Sequence, residues 1–419
     1  MTHTQKFSRI PFILITSLFL VWGLANNMTD TLLAAFKRIM SMTDFQTSWI
    51  QIAFYGSYFC LAIPAALYIK RFSYKSGVLL GLGLFIAGSL LFYPASNTMV
   101  YGHFLTALFI LAGGLAILET TANPYIIAMG PEETATRRLN LAQSFNPIGS
   151  IIGIILGKVY ILSHLNSASE EERNNMSADV LNQIQAEELN AVMGPYVAVA
   201  VLLILLWIII FFVKMPKASD ASQDLKVGNS IKRLLKNKKY LLGILAQFFY
   251  VGAQIGIWSF TIRYVMQELQ LDEQNASNYY LASLVLFMIS RFVCTWLMQY
   301  IKPTKLLVGL SILALISTAC VIYFGGYIGV YSLVLISGCM SLMYPTIYGL
   351  AISGLGSDTK IASSGLVMAI LGGAVLTPIQ GLVSDTTQSI NYAFYIPFLC
   401  FVIILIYGLF VINNDKVKT

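Results

Sequence analysis

Charged residues are scarce in this chain. They make up 11% of its 419 residues, whereas hydrophobic residues make up 57%. An ordinary soluble domain has about a quarter of its residues charged. A soluble protein of this length could not bury so much apolar surface, so the composition excludes that class and indicates an integral membrane protein.

Cysteine and histidine are also few. The five cysteines lie in apolar runs without a CxxC spacing, at Cys60, Cys294, Cys320, Cys339 and Cys400. This usage predicts neither a disulfide framework nor a metal site. None of the three histidines is close in sequence to an acid, and no nucleophile motif is visible. The sequence therefore argues against a membrane-embedded enzyme and predicts no cofactor.

Long apolar runs recur along the whole chain. About 20 such residues cross a bilayer core as a helix, which satisfies its own backbone hydrogen bonds in lipid. Runs such as Val201–Ile210 do not alternate with polar residues as the strands of a membrane barrel do. We predict an all-α integral membrane protein of twelve transmembrane helices, with spans at 10–36, 47–69, 76–94, 100–127, 139–163, 193–214, 239–267, 276–300, 304–324, 327–353, 361–384 and 391–412.

The formal charge of +7 could indicate a nucleic-acid partner, but the cations are distributed as in a membrane protein. With a cytoplasmic N-terminus, twenty lysines and arginines fall in inner segments. The outer loops then carry only Lys37, Arg38 and Arg173. The positive-inside rule thus predicts a multi-pass protein of the plasma (inner) membrane with both termini in the cytoplasm and no nucleic-acid partner.

Two polar segments interrupt the predicted helices. Residues 165–192 form an acidic outer loop with a short surface helix, and residues 215–238 form a lysine-rich inner segment. The second segment predicts three parts: an N-terminal six-helix bundle at 1–214, a cytoplasmic linker at 215–238 and a C-terminal six-helix bundle at 239–419. Two similar bundles that rock against each other are typical of transporters.

Two carboxyl groups lie well inside the predicted spans, on Asp30 and Glu119. A carboxyl group in a membrane is much cheaper neutral than ionised. Such a group can take up a proton on one side and release it on the other, as coupling to a proton gradient requires. The alternative is structural pairing with the cations within spans, Lys158, Arg263 and Arg291.

Uncharged hydrogen-bonding side chains accompany these acids. Asn26 and Asn27 precede Asp30 by four and three residues, so all three share one helix face. In the fifth span amides recur every three residues, at Asn140, Gln143 and Asn146. Lipid offers these groups no partner, so they face a neighbouring helix or a wet cavity. Hydrogen bonding between helices is the alternative to a binding role.

The seventh span adds Gln247, Gln254 and Trp258, and the tenth adds Tyr344. Amides beside aromatic faces suit the hydroxyls and the C–H face of a sugar. They would suit other uncharged polar solutes too, whereas an anionic substrate would need cations at mid-depth. The residues alone thus predict a proton-coupled transporter of a small polar solute.

Six stretches resemble, in order, the fucose/galactose/glucose–proton symporter family of the major facilitator superfamily. They are WGLANNMTDTLL (22–33), FQTSWIQIAFYGSYF (45–59), LETTANPYIIAMGP (118–131), RLNLAQSFNPIGSIIG (138–153), YPTIYGLAISGLG (344–356) and GGAVLTPIQGLVSD (372–385). The resemblance implies a twelve-helix fold of two bundles and alternating access around a central cavity. It also implies symport of a sugar with a proton, which is the coupling ion.

The resemblance also implies residue roles. Asp30 and Glu119 match the family's two transport carboxylates. We expect Asp30 to be the proton-coupling switch and Glu119 to join coupling to a hydrogen bond with the sugar. The matching or neighbouring substrate positions are Trp22, Asn26, Asn27, Gln143, Asn146, Gln254, Trp258 and Tyr344.

The substrate remains open among several sugars. Glucose and galactose carriers of the family often lack an acid at the position of Glu119, so its presence favours L-fucose. The alternatives are a glucose/galactose transporter, coupled to protons, to sodium or to nothing, and a non-transporting membrane sugar sensor. A sensor has no need of buried groups that titrate, and the amide-rich cavity argues against a drug–proton antiporter. The expected partners are the sugar and the lipid bilayer, and a monomer is the superfamily default.

Overall fold

The computed structural model describes residues 9–39, 44–98, 100–161, 166, 172–173, 175–216 and 227–417. This part of the chain is helical and has no strand. Twelve of its stretches are long and apolar enough to span a membrane, in agreement with the predicted count.

The first six spans contain seven α-helices. They are α1 (Arg9–Ile39), α2 (Asp44–Arg71), α3 (Tyr74–Thr98), α4 (Tyr101–Ala128), α5 (Ala135–Gln143), α6 (Asn146–Leu156) and α7 (Ala178–Phe212). After these comes a short surface helix, α8 (Val227–Lys236). The last six spans contain α9 (Lys238–Leu269), α10 (Glu273–Leu297), α11 (Pro303–Tyr323), α12 (Gly326–Met340), α13 (Met343–Ile352), α14 (Thr359–Met368), α15 (Gly372–Thr387), α16 (Ile390–Ala393) and α17 (Tyr395–Val417).

The helices form two compact units. The described residues of Ser8–Ala122 and Phe145–Lys217 make up the amino-terminal unit, and those of Asn123–Ser144 and Ala218–Thr419 make up the carboxy-terminal unit. The predicted division into bundles at 1–214 and 239–419, with a linker at 215–238, stays a prediction; part of that linker, 217–226, lies outside the described residues.

In the amino-terminal unit, α1 and α6 approach each other closely along a row of glycines. A Cβ atom on Gly149 would lie 1.8 Å from the carbonyl oxygen of Leu20, and one on Gly23 would lie 2.1 Å from that of Asn146. Only residues without a side chain allow backbones so near to each other. This contact places Asn146 beside the polar stretch of α1.

In the carboxy-terminal unit, α9 is the central helix. It contacts α10, α12, α13, α14, α15 and α17, and its inward face is buried at residues such as Tyr250, Ile257 and Tyr264. The Tyr250 hydroxyl donates to the carbonyl oxygen of Met340 at 3.1 Å, and the Tyr264 hydroxyl donates to that of Val321 at 2.8 Å. Buried tyrosines thus satisfy their hydroxyls on neighbouring backbones.

Two of the predicted spans are interrupted just before a proline. The span predicted at 139–163 breaks between Gln143 and Asn146, and the span predicted at 327–353 breaks between Met340 and Met343. A proline follows each break, at Pro147 and Pro345. Proline has no N–H and its ring clashes with the carbonyl of residue i−4, which favours an interruption one turn before it.

The predicted outer loop at 165–192 is too long. Residues 178–192 belong to α7, which continues without a break to Phe212. The glutamates of this segment led to the prediction of a loop. Acidic residues are nevertheless compatible with the start of a helix, and Asp179 in the first turn complements the partial positive charge of the helix N-terminus. The helix therefore extends beyond the apolar run that the prediction followed.

Candidate functional site

The polar face predicted on α1 is present. Asn27 donates from Nδ2 to the carbonyl oxygen of Gly23 at 3.0 Å, and Oδ1 of Asn26 is buried without a hydrogen-bond donor among the described residues. Trp22 is buried and stacks on Phe19, with ring centroids 5.9 Å apart. The side chain of Asp30 lies outside the described residues, and its role stays a prediction.

Asn146 joins this face through the contact of α6 with α1. Its Nδ2 donates to the carbonyl oxygen of Phe19 at 3.2 Å. Gly23, which precedes the two α1 asparagines, lies against the backbone of Asn146 itself. The structure therefore brings together four predicted substrate positions of the amino-terminal unit: Trp22, Asn26, Asn27 and Asn146.

Glu119 lies on α4 with 5% of its surface exposed. The preceding residue, Leu118, packs closely against α3: a Cβ atom on Gly81 of α3 would lie 2.8 Å from its side chain. Tyr58 on α2 is also buried and interacts electrostatically with Glu119. The prediction that this carboxyl group is buried within a span is confirmed, but sequence reasoning missed Tyr58.

In the carboxy-terminal unit, Gln143 is oriented by a partner that the sequence analysis did not select. Its Nε2 donates to Oδ1 of Asn123 at 2.8 Å, and Asn123 is fully buried at the end of α4. Nearby on α5, Nδ2 of Asn140 donates to Oγ1 of Thr346 at 3.2 Å. The sequence feature that could have identified Asn123 is its position as an amide directly before a proline inside an apolar span.

The aromatic positions lie on α9, α10 and α13. Tyr344 is nearly buried between Tyr250 and Tyr348, with ring centroids 6.0 and 6.5 Å away. Trp258 donates from Nε1 to Oγ of Ser337 at 3.2 Å and makes an edge contact with Phe287.

Gln254 is half-buried one turn before Trp258, so the two share a face of α9. Gln247, two turns earlier on this helix, is fully buried, and neither polar atom of its amide has a hydrogen-bond partner among the described residues.

Lys158, Arg263 and Arg291 were considered above as structural partners for the buried carboxyl groups, and they differ in their surroundings. Lys158 is exposed at the end of its span, and Arg263 is exposed with its guanidinium 4.3 Å from the Phe260 ring centre. Arg291 is buried and donates to two backbone carbonyl oxygens, those of Gln143 and Ser341. Arg291 is thus a partner of the backbone in its own unit.

The part of the chain that the structure describes contains no candidate metal site. No group of three or more histidine, cysteine, aspartate or glutamate side chains there could hold a metal ion. The described cysteines are unbridged and mostly buried.

Comparison with known proteins identifies the architecture. The family model of the Major Facilitator Superfamily matches residues 12–370. The chain belongs to this superfamily. Superfamily members are transporters, so the predicted all-α twelve-helix fold, the transporter class and the absence of enzyme function are confirmed.

Individual superfamily members match along nearly the whole chain. The L-fucose-proton symporter of Haemophilus influenzae is 42% identical over 411 residues, which cover 95% of this chain and 96% of that one. The glucose/galactose transporter of Brucella abortus is 34% identical over 413 residues, which cover 97% and 95%. A crystal structure of the Escherichia coli fucose:proton symporter superposes with a TM-score of 0.90 at 40% identity, covering 96% of this chain and 98% of that one.

Proposed function

We propose that this protein imports L-fucose together with a proton, by alternating access across the inner membrane. The observation that carries the proposal is the burial of Glu119, a carboxyl group on a membrane-spanning helix that is 5% exposed. An ionised carboxylate is costly at that depth, so the group favours a proton or a polar ligand as its partner. The uncharged amides and aromatic rings named below supply the remaining contacts with the sugar.

The assigned roles follow from chemistry. Asp30 is the proton-coupling switch, and Glu119 binds both the proton and a sugar hydroxyl. The amides of Asn26, Asn27, Gln143, Asn146 and Gln254 exchange hydrogen bonds with the remaining hydroxyls. The rings of Trp22, Trp258 and Tyr344 contact the apolar faces of the sugar. Each turnover discharges part of the proton gradient, which drives sugar accumulation.

Similarity supports L-fucose over other sugars. The 42% identical relative is named an L-fucose-proton symporter, whereas the relative named a glucose/galactose transporter is 34% identical. The second candidate function is therefore glucose or galactose transport by the same architecture. The division into bundles at 1–214 and 239–419, the cytoplasmic placement of both termini and the monomeric state belong to the same proposal.

Uptake by proteoliposomes tests the function. Purified protein is reconstituted, an inward proton gradient is imposed, and entry of radiolabelled L-fucose is followed with excess unlabelled D-glucose or D-galactose as competitors. We expect gradient-driven accumulation that unlabelled L-fucose abolishes and the other two sugars leave nearly unchanged. Accumulation of glucose or galactose in place of L-fucose would establish the second candidate. Binding of L-fucose without entry would identify a sensor.

A further inference from the structure

Arg291 contacts both proline-interrupted spans. In an uninterrupted helix the carbonyl oxygen of Gln143 would accept from the N–H of residue 147, and that of Ser341 from the N–H of residue 345. Both of these residues are prolines, which have no N–H. Each break therefore leaves a carbonyl oxygen without its helical partner, and an unpaired backbone group is costly where water is absent.

One guanidinium supplies both missing hydrogen bonds. Nη1 of Arg291 donates to the carbonyl oxygen of Gln143 at 3.1 Å, and Nε donates to that of Ser341 at 2.5 Å. The side chain is 4% exposed, and its guanidinium lies 4.5 Å from the ring centre of Phe287. A planar guanidinium has five N–H groups in fixed directions, so it can serve two acceptors at once. We call these two hydrogen bonds the Arg291 bridge.

The bridge lies next to residues assigned to the sugar. Gln143 carries one of the two carbonyls, and Tyr344 immediately precedes the proline of the second break. A second contact joins the same helices, because the hydroxyls of Ser144 and Thr295 lie 3.5 Å apart, one turn from Arg291 on α10. The bridge therefore fixes the end of α5, which carries Gln143, and the break between α12 and α13, which lies just before Tyr344 at the start of α13.

We propose that Arg291 is a positioning residue of the transport site. It holds the two proline breaks in one arrangement, so that Gln143 and Tyr344 engage the same sugar. The proposal rests on the proposed function and on the predicted bundles. Gln143 belongs to the predicted N-terminal bundle, and Arg291 and Ser341 to the C-terminal one. Alternating access must then break the hydrogen bond to Gln143 in each cycle and keep the one to Ser341.

Lysine and glutamine variants of Arg291 separate positioning from stability. An ammonium keeps the charge, but as a compact point donor it cannot span two carbonyls as the guanidinium does. The matched control is Arg263→Gln, because Arg263 also stacks on a phenylalanine but is exposed and outside the site. L-fucose Kd by calorimetry and the thermal unfolding midpoint are measured for wild type, R291K, R291Q and R263Q.

We expect R291Q to weaken L-fucose binding about tenfold and to lower the unfolding midpoint, and R263Q to change neither. We expect R291K to recover most of the midpoint and little of the sugar affinity. A positioning role predicts that the unfolding midpoint recovers without the sugar affinity, whereas a merely structural role predicts that both recover together. Recovery of both quantities in R291K, or wild-type affinity in R291Q, would overturn the proposal.

A readout without sugar keeps this test separate from that of the proposed function. Cys294 is buried three residues after Arg291 on α10, and Cys400 is buried on α17 as an internal reference. Alkylation by N-ethylmaleimide is quantified for each peptide by mass spectrometry. We expect R291Q to raise the rate at Cys294 at least tenfold and to leave Cys400 unchanged. Equal rates at Cys294 in R291Q and wild type would refute the bridge, whatever sugar the protein carries.

Discussion

The side-chain amide of Gln143 donates a hydrogen bond to Oδ1 of Asn123 at 2.8 Å, and both side chains are buried. Gln143 ends α5, whereas Asn123 lies one residue before Pro124 on α4. The bond engages one N–H of the Gln143 amide, so Oε1 and the second N–H are left for a ligand.

Removal of the acceptor should therefore impair sugar binding through Gln143. Asn123→Ala leaves a buried donor without a partner, which costs about 1–3 kcal/mol. We expect the KM for L-fucose to rise about tenfold, with the folded protein retained. A double-mutant cycle with Gln143→Ala tests whether Asn123 acts through Gln143: the KM of the double variant should be no higher than that of Q143A alone. Additive losses would mean that Asn123 acts independently of Gln143.

The glycine contact of α1 with α6 predicts a position that tolerates no side chain. Gly149→Ala would place a methyl group 1.8 Å from the Leu20 carbonyl oxygen, so the helices must separate and Asn146 must move away from α1. Overpacking of this kind costs about 1–3 kcal/mol. We expect a lower unfolding midpoint and at least a tenfold loss of uptake. Gly83→Ala is the control, since nothing lies within 4 Å of its Cβ position, and it should behave as wild type.

A buried ion pair between Arg173 and Glu188 of α7 predicts an effect on stability. Arg173 and Glu188 are 1% and 3% exposed, and the guanidinium donates to both carboxylate oxygens, at 3.0 and 2.5 Å. Glu188 also accepts from the backbone N–H of Asn166 at 2.7 Å. Removal of one partner leaves the other charge buried without compensation, which lowers the free energy of unfolding by roughly 3–5 kcal/mol.

We therefore expect Glu188→Gln to lower the thermal unfolding midpoint clearly. The matched control is Glu187→Gln at the neighbouring position, where the carboxylate is exposed and, among the described residues, accepts from Gln183 alone at 3.0 Å. Exposed contacts of this kind contribute little, so E187Q should keep the wild-type midpoint. Equal midpoints for the two variants would show that the Arg173–Glu188 pair does not hold this segment.

Much of the fold could be predicted because lipid restricts the choices. Apolar length fixed the twelve spans to within a few residues at most ends, for instance 304–324 against α11 at Pro303–Tyr323. The longest error, at the start of α7, arose because an amphipathic or acidic extension beyond the bilayer carries no apolar signal. Pro147 and Pro345 each remove a defined hydrogen bond, but proline alone does not predict a break, because Pro64, Pro124 and Pro195 lie inside continuous helices.

The site was only partly accessible to sequence reasoning. Glu119, Gln143 and Tyr344 stand out because polar groups are rare at depth, and each is buried in the structure. The partners of these groups could not be predicted, because Tyr58, Asn123 and Arg291 reach them through the docking of separate helices. Arg291 in particular had the charge expected of a carboxylate partner, yet proline-freed carbonyls accept its hydrogen bonds.

Proton movement on sugar entry tests the central claim most directly. Proteoliposomes containing a trapped pH dye receive external L-fucose without an imposed gradient, and the same is done with the Glu119→Gln and Asp30→Asn variants. The account predicts that wild-type vesicles acidify inside with L-fucose and that both variants lose the signal, because neither amide can carry a proton across. L-fucose entry without any acidification in the wild type would contradict proton coupling.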